Sequence, residues 1–359
     1  MQTATEPTIK STQVSPKCPG CGATLSYSPE KSALTCGHCG NMVAIEASPA
    51  RRFPLSELEQ PIQPVWNEAT VFSCNNCGAQ EVIAQGDMAK ACAFCGATAI
   101  VAKEELSGLQ PNAVIPFKVS KESAMQRVVA WAKKKLFAPK RFKKHATSKD
   151  IDGVYMPAFT FDAQTSTRYR GVLSRVETFT TFINGRAVVQ SRTVRFNISG
   201  THSGNFNDIM IQACDSIAQS DLDKIQPFVN PQNVKDFNNA YLFGYAAGQH
   251  KRAGHACWNQ ARSIIESNIQ KEVLSQHPGC SIVSFNANTV YNTASYRYML
   301  LPVYVGHFNY REKLYQFFIN GDSGKVTGKT PLSPIRVGLA ALLGAIVLGG
   351  LITAIAFIL

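Results

Sequence analysis

Acidic residues are in short supply in this chain. Its 359 residues carry 24 Asp and Glu against 36 Lys and Arg, a formal net charge of +12 at pH 7, so polyanions are its natural electrostatic partners. Histidine is sparse too: seven residues are scattered and no H-E-x-x-H is present, which removes the zincin class of metalloenzyme. The group His250, His255 and Cys257 reads as a surface loop entering a helix, not as a metal or thiol-protease site. A complete phosphate-binding loop is missing. Ser323–Thr330 (SGKVTGKT) has serine for the first glycine, and Pro331 follows where the phosphate-capping helix should start. G-x-S-x-G-like surroundings are loop glycines only, and no catalytic constellation emerges, so the chain reads as a non-enzyme. The N-terminus lacks anything resembling a secretory signal; residues 1–16 are polar, contain proline and read as disordered. A disulfide framework is thereby disfavoured.

Cysteine, by contrast, is plentiful and patterned. Eight of eleven cysteines form two copies of one motif: Cys18-x2-Cys21 with Cys36-x2-Cys39, and Cys74-x2-Cys77 with Cys92-x2-Cys95. Four thiolates at this spacing suit the tetrahedral coordination of structural Zn²⁺. A glycine follows each pair (Gly22, Gly40, Gly78 and Gly96), as a tight knuckle with positive φ requires. A redox dithiol would occur once between a strand and a helix, not four times on glycine turns. The expectation is two zinc ribbons, residues 17–46 and 73–103, each holding one Zn²⁺ in a closed site. Neither would fold without its metal. His38 is expected as an exposed knuckle residue outside the ligand set. Pro49, Pro54, Pro61 and Pro64 mark 47–72 as an extended linker.

At the other end, Val337–Leu359 holds 23 residues without a charge, flanked by Lys325, Lys329 and Arg336. As a helix this run is expected to span a membrane as a C-terminal tail anchor, with the basic flank holding the bulk of the chain in the cytoplasm. Small residues at four-residue spacing (Ala341, Ala345, Gly349) suggest helix-mediated oligomers. In that reducing setting Cys214, Cys257 and Cys280 are ordinary thiols.

The positive charge is concentrated in Ile115–Lys149, which holds eleven Lys or Arg and one acid, Glu122. Ser120 is a helix N-cap candidate, and Ala124, Val128, Trp131, Ala132 and Leu136 recur at helical spacing up to Ala138-Pro139. Lys133, Lys134, Lys135, Lys140, Arg141, Lys143 and Lys144 are the candidate contacts to anionic lipid or nucleic acid. From Ile151 onward the pattern is mainly β. A hairpin is expected around Asn184-Gly185, joining Arg175–Phe182 to Ala187–Ile198. A helix is expected over His255–Ser275 with Ala256, Ala261, Ile264, Ile265, Ile269 and Val273 inward. Strands follow at Ser281–Tyr291, Tyr296–Tyr310 and Leu314–Ile319, closed by the turn Asn320–Gly324. Residues 104–330 thus predict an α+β body with antiparallel sheets, in a multidomain chain ending in one transmembrane helix over 337–359.

Beyond the ribbons, the segments VIPFKVSKESAMQRVVAWAKKKLFAPKRFKK (Val114–Lys144), GVYMPAFTFDA (Gly153–Ala163), AYLFGYAAGQHKR (Ala240–Arg252) and LLPVYVGHFNYREKLYQFFINGDSGKVTGKTP (Leu300–Pro331) resemble a bacterial family of zinc-ribbon membrane proteins, the YdjG-like proteins. Members are often labelled TFIIB-type zinc ribbon or primosomal protein N′-like helicase. This sequence lacks the P-loop and acidic motif of a helicase. The resemblance implies a membrane-bound adaptor, with phage-shock protein A or an SPFH-domain protein as partner in a membrane-stress response. Only the eight cysteines transfer from it as site residues. The combined expectation is an adaptor at the cytoplasmic face of the bacterial inner membrane, its two ribbons on a flexible arm, recruiting a protein partner. The alternative is a membrane-tethered nucleic-acid-binding protein that uses the ribbons and the basic run.

Overall fold

The computed structural model describes residues 16–358 except 60–68, 76–79, 85–91, 95–96, 98–99, 104–108, 146–150, 184, 231, 249 and 311–312; in the last helix side chains are described through Gly350. The expectation of disorder over 1–16 therefore lies almost entirely outside the described residues.

In the N-terminal third the strands are β1 (Leu25–Ser28), β2 (Ala33–Cys36), β3 (Met42–Val43), β4 (Phe53–Pro54), β5 (Ala69–Cys74), β6 (Gln80–Ala84), β7 (Ile100–Lys103) and β8 (Ala113–Val114). The body continues with α1 (Lys121–Lys133), α2 (Lys140–His145), β9 (Asp152–Ile183), β10 (Arg186–Gln212), α3 (Gln219–Ile225), β11 (Lys235–Asp236), β12 (Ala246–Gly248) and α4 (Gly254–Ser275). It closes with β13 (Cys280–Tyr310), β14 (Lys313–Asn320), β15 (Val326–Gly328) and α5 (Pro334–Ile358).

β1, β2 and β3 form a small antiparallel sheet of their own, while the other strands build one twelve-stranded sheet. That sheet is mixed: β12 runs parallel to β9, and β8 runs parallel to β13. The expected α+β body with purely antiparallel sheets is corrected accordingly. Strands dominate, and parallel contacts enter where two- and three-residue strands slot beside long ones. The expected repeat is corrected as well. β5, β6 and β7 of the second cysteine segment are rungs of the large sheet, joined to it through the β6–β12 pair, whereas the first segment keeps a separate sheet.

β9 shows how one strand meets three environments. Val154–Phe161 is buried on both faces, as its unbroken apolar run requires of a central strand. From Ala163 to Thr167 burial alternates residue by residue, because α4 covers only one side. Beyond Arg175, the last residue paired with Cys280 of β13, the β9–β10 hairpin continues as a two-stranded ribbon. At about 3.3 Å per residue, a strand of this length extends roughly 105 Å. The predicted turn closes it, with Gly185 at φ +76° and Ile183 opposite Arg186. α4 lies along this arm through Cys257, Ala261, Ile265, Ile269 and Val273, a stripe at four-residue spacing that faces Phe206, Tyr169 and Phe285. Cys257, not Ala256, starts that stripe.

The proline-containing segment after the first ribbon is folded where it is described. β4 pairs with β13 at Ser295 and Tyr296, and a 3-10 turn follows at Leu55–Glu59. Residues 60–68 of the expected linker lie outside the described residues. α1 begins at the expected cap, where the Ser120 hydroxyl accepts from the Ser123 N–H at 3.4 Å, but it ends at Lys133, short of Pro139.

The C-terminal expectation is corrected. Residues Pro334–Ile358 do form one helix, α5. Among the described residues, however, no helix is long and apolar enough to cross a membrane. The transmembrane helix, the inner-membrane location, the lipid partner and helix-mediated oligomers that rested on it are withdrawn, and with them the stress-response partners that the resemblance implied for a membrane-bound adaptor.

Candidate metal centre

The first cysteine segment builds a four-sulfur site. Each knuckle is closed by backbone hydrogen bonds that aim its turn at the sulfurs: Cys18 N–H donates to Ala23 O at 2.7 Å, and Cys36 N–H to Asn41 O at 2.9 Å. Gly22 and Gly40 sit at φ +71° and +74°, the conformation for which glycine was required. β1 and β2 hold the knuckles together, with Leu25 directly opposite Cys36. The Sγ atoms of Cys18, Cys21, Cys36 and Cys39 all lie within 4.8 Å of one another. Cys18 and Cys39 are 3.4 Å apart, and Cys21 and Cys36 are 3.5 Å apart. Zn–S bonds of about 2.3 Å in a tetrahedron place sulfurs about 3.8 Å apart, so the cluster can take one such ion with small adjustments. Asn41 Nδ2 approaches Cys18 Sγ at 3.8 Å as an outer donor to a ligand. Cys18 and Cys36 are buried, while Cys21 and Cys39 face solvent. His38 is exposed in its knuckle.

The thiols divide the protons unequally. Burial opposes ionisation of Cys18, but the Gly20 N–H and the neighbouring thiols outweigh it and bring its pKa to about 6. Cys21 gains from the Ala23 N–H, yet the adjoining sulfurs Cys39 and Cys36 push it up to about 12. Cys36 is lowered too, by the Cys39 and His38 N–H groups, while Cys39 gains from the Asn41 N–H, yet is raised by the adjoining Cys18 sulfur; all four would ionise on binding a cation.

This ribbon is anchored in the body, where a flexible arm was expected. Cys18, Leu25, Tyr27, Leu34, Cys36 and Val43 belong to the same buried cluster as Phe117, Tyr155 and Tyr304. The Tyr27 hydroxyl donates to Phe117 O at 3.0 Å, and its backbone N–H donates to Phe243 O at 2.8 Å. Phe117 stacks on Tyr245 with centroids 4.2 Å apart and meets Tyr155 edge-on at 5.0 Å. Gly244, at φ +93°, brings its loop against Ser26 of β1. Burial raises the Tyr27 phenol and pushes Tyr245 up to about 12, so these hydroxyls remain donors at neutral pH. The signal for this docking was present in β1: a small ribbon that turns out a leucine and a tyrosine needs a surface to cover them.

The second cysteine segment is described only in part. Cys74 and Cys92 are buried, and Cys92 N–H donates to Ala97 O at 2.9 Å, the same five-residue closure found at Cys18 and Cys36. Cys77 and Cys95, with Gly78 and Gly96, lie outside the described residues, so one four-cysteine cluster is established. Cys214 and Cys257 are separate buried thiols, and burial raises both, Cys257 to about 11.

The basic residues gather at the root of α5. Lys133, Lys134, Lys140 and Arg141 are exposed. Lys135 Nζ lies 5.0 Å above the Trp131 ring, and Lys143 Nζ donates to Lys133 O at 3.0 Å. The Lys144 side chain lies outside the described residues. Arg336 ties α5 to this turn by donating to Leu136 O and Ala138 O, each at 2.9 Å.

No protein-family profile matches the chain, and no solved structure matches it. The zinc-ribbon label implied by the sequence thus has no family match behind it. The chain is, however, 30% identical over 331 residues to YdjG of Bacillus subtilis, an uncharacterized protein, across 90% of this chain and 92% of YdjG. Identity and coverage of that extent, along nearly the whole of both proteins, place the chain in the YdjG family.

Proposed function

We propose that the protein is a non-catalytic adaptor whose zinc-ribbon modules are structural parts of a binding scaffold. The observation that carries this reading is the fusion of the Cys18–Cys21–Cys36–Cys39 cluster with the body core through Leu25 and Tyr27. When bound there, Zn²⁺ would supply folding energy and fixed geometry; four cysteine ligands leave no open position for water or substrate. Cys18 and Cys36 would hold it from the buried side, and Cys21 and Cys39 from the solvent side. A second Zn²⁺ at Cys74, Cys77, Cys92 and Cys95 belongs to the same proposal, supported by the repeated spacing and by the Cys92–Ala97 closure. The scaffold presents the β9–β10 arm as its most extended feature, and a partner protein would dock on its distal hairpin. There Val176, Phe182 and Val189 are exposed, and among the described residues no third strand pairs with the ribbon, which makes its edges a template for strand addition.

The test is affinity purification of the full chain after nuclease treatment, with a variant in which residues 176–193 are replaced by a short Asn-Gly turn. A stoichiometric protein partner that survives nuclease and is lost from the variant supports the adaptor. Recovery of the chain alone, or a partner kept by the variant, refutes it.

A further inference from the structure

Strand alternation divides the arm into two unlike faces. Odd-numbered residues of β9 from Ala163 to Leu173 lie under α4. Even-numbered residues point the other way, where no element covers them among the described residues. On this bare face the paired outward residues of β9, β10 and β13 between rungs 164 and 174 are Ser, Thr, Asn, Gln and Arg, with valine at 172 and 290 and not one acid; a third valine, Val283, is exposed in the β13 bulge. Arg168 and Arg170 stand two residues apart on β9, with Asn288 and Asn286 opposite them on β13. Arg195 on β10 faces Ser174, beside Asn197. All three arginines are exposed, and at strand spacing they fall within about 20 Å of one another.

The arm sorts its arginines by face. Arg175 and Arg192 lie on the opposite side and are both held by Glu177, at 2.7 and 3.1 Å. At the root of the arm Asp162 and Asp208 are engaged by Arg52 at 2.6 Å, and Arg297 adds a contact to Asp208 at 3.1 Å. Among the described residues Arg168, Arg170 and Arg195 meet no carboxylate. A protein-binding face is expected to carry aromatic or aliphatic anchors at its centre, and this one has almost none. Arginine surrounded by Asn, Ser and Thr is instead the donor set that contacts nucleic-acid phosphates and sugars.

We propose that the bare face of the arm binds the phosphate backbone of nucleic acid without reading its sequence. Arg168, Arg170 and Arg195 supply the charge, and Asn197, Asn286 and Asn288 the neutral donors. The site shares no residue with the metal cluster or the distal hairpin, so it stands or falls apart from the adaptor reading.

The experiment is fluorescence anisotropy with the purified full chain and labelled single strands and duplexes of about 30 nucleotides, titrated from low to physiological salt. The test variant combines Arg168→Gln, Arg170→Gln and Arg195→Gln; its metal content and melting temperature are read alongside, to show that it folds. The expected result is binding that weakens with salt in the wild type. In the variant the affinity falls roughly tenfold or more, and the log–log salt slope falls by about 2–3, one contact per arginine. A second variant, Arg175→Gln with Arg192→Gln, removes similar charge from the opposite face and is expected to bind much as the wild type does. The proposal is overturned if neither nucleic acid binds at low salt, or if the two variants lose affinity equally. It is also overturned if poly-glutamate of matched charge binds as tightly as nucleic acid, which would assign the face to an acidic protein.

Discussion

Replacing Tyr27 by phenylalanine isolates the bond between ribbon and body. The ring contacts survive, including the edge-on approach to Tyr241 at 5.4 Å, so little packing is lost. What disappears is the hydroxyl that donates to Phe117 O at 3.0 Å in a buried setting. A buried carbonyl left without its donor costs about 1–3 kcal/mol. For a body of this size each kcal/mol lowers the melting temperature by roughly 2–4 °C, so the middle of that range corresponds to about 4–8 °C. Differential scanning calorimetry of the zinc-loaded chain measures this directly. Because the residue pair spans the ribbon and the body, the main transition, carrying most of the unfolding enthalpy, is expected to move. If that transition stays in place while a small early one separates from it, the ribbon unfolds alone and the shared core is not cooperative.

Three other outcomes follow from particular residues. Asn320 is fully buried; its amide donates to Ile225 O and Pro227 O, and its oxygen accepts from the Asp322 and Ser323 N–H groups. Asn320→Ala should therefore cost about 3 kcal/mol or more in urea unfolding, and a loss under 1 kcal/mol would mean that the turn re-forms without it. Gly171 has no room for a side chain, since a Cβ there would meet Ser284 O at 2.5 Å. Gly171→Ala should push β9 from β13 and cost about 1–3 kcal/mol, read as faster amide exchange in both strands; unchanged exchange would contradict the pairing. Burial raises the Asp162 carboxyl above its ordinary 3.8, although the Asp208 N–H and Arg52 pull against this. The folded state thus holds the Asp162 proton more tightly than the unfolded chain does. Its stabilising contribution is complete below 3.8 and is lost as pH rises through the folded value. Melting temperatures between pH 3 and 6 should show wild-type stability falling relative to Asp162→Asn; a difference that rises with pH would show that the Arg52 pair dominates.

Local chemistry in this chain was legible, and long-range assembly was not. Gly22 and Gly40 of the first ribbon, the Ser120 cap and the Gly185 turn each follow from one residue's conformational needs, and each stands where the sequence placed it. In the α4 stripe Ala261, Ile265, Ile269 and Val273 stand as expected and only the first position differs, because Ala256 and Cys257 are both small and apolar and only contact with the arm chooses between them. The break expected between Tyr291 and Tyr296 is a bulge inside one continuous strand, at Tyr291/Thr293; a polar Asn-Thr pair looks the same in a loop and on a bare sheet face. β8 and β12 are too short to show any period, so the parallel pairings that make the sheet mixed left no trace in the sequence. The apolar C-terminal run gave its helix correctly, but composition alone overreached in assigning that helix a membrane. Of the candidate site, the four cysteines were legible, and the docking of their ribbon on Phe117 through Tyr27 was not, since those partners lie some ninety residues apart.

If Cys18, Cys21, Cys36 and Cys39 hold one structural metal ion, as proposed, the body's stability depends on that ion. The measurement that tests it most directly is zinc content per chain, by mass spectrometry of metals, in wild type and Cys36→Ser, with a calorimetric melt of each. The substitution is expected to remove one equivalent of zinc and to lower the main transition. Equal zinc in both proteins, or none in the wild type, would contradict it.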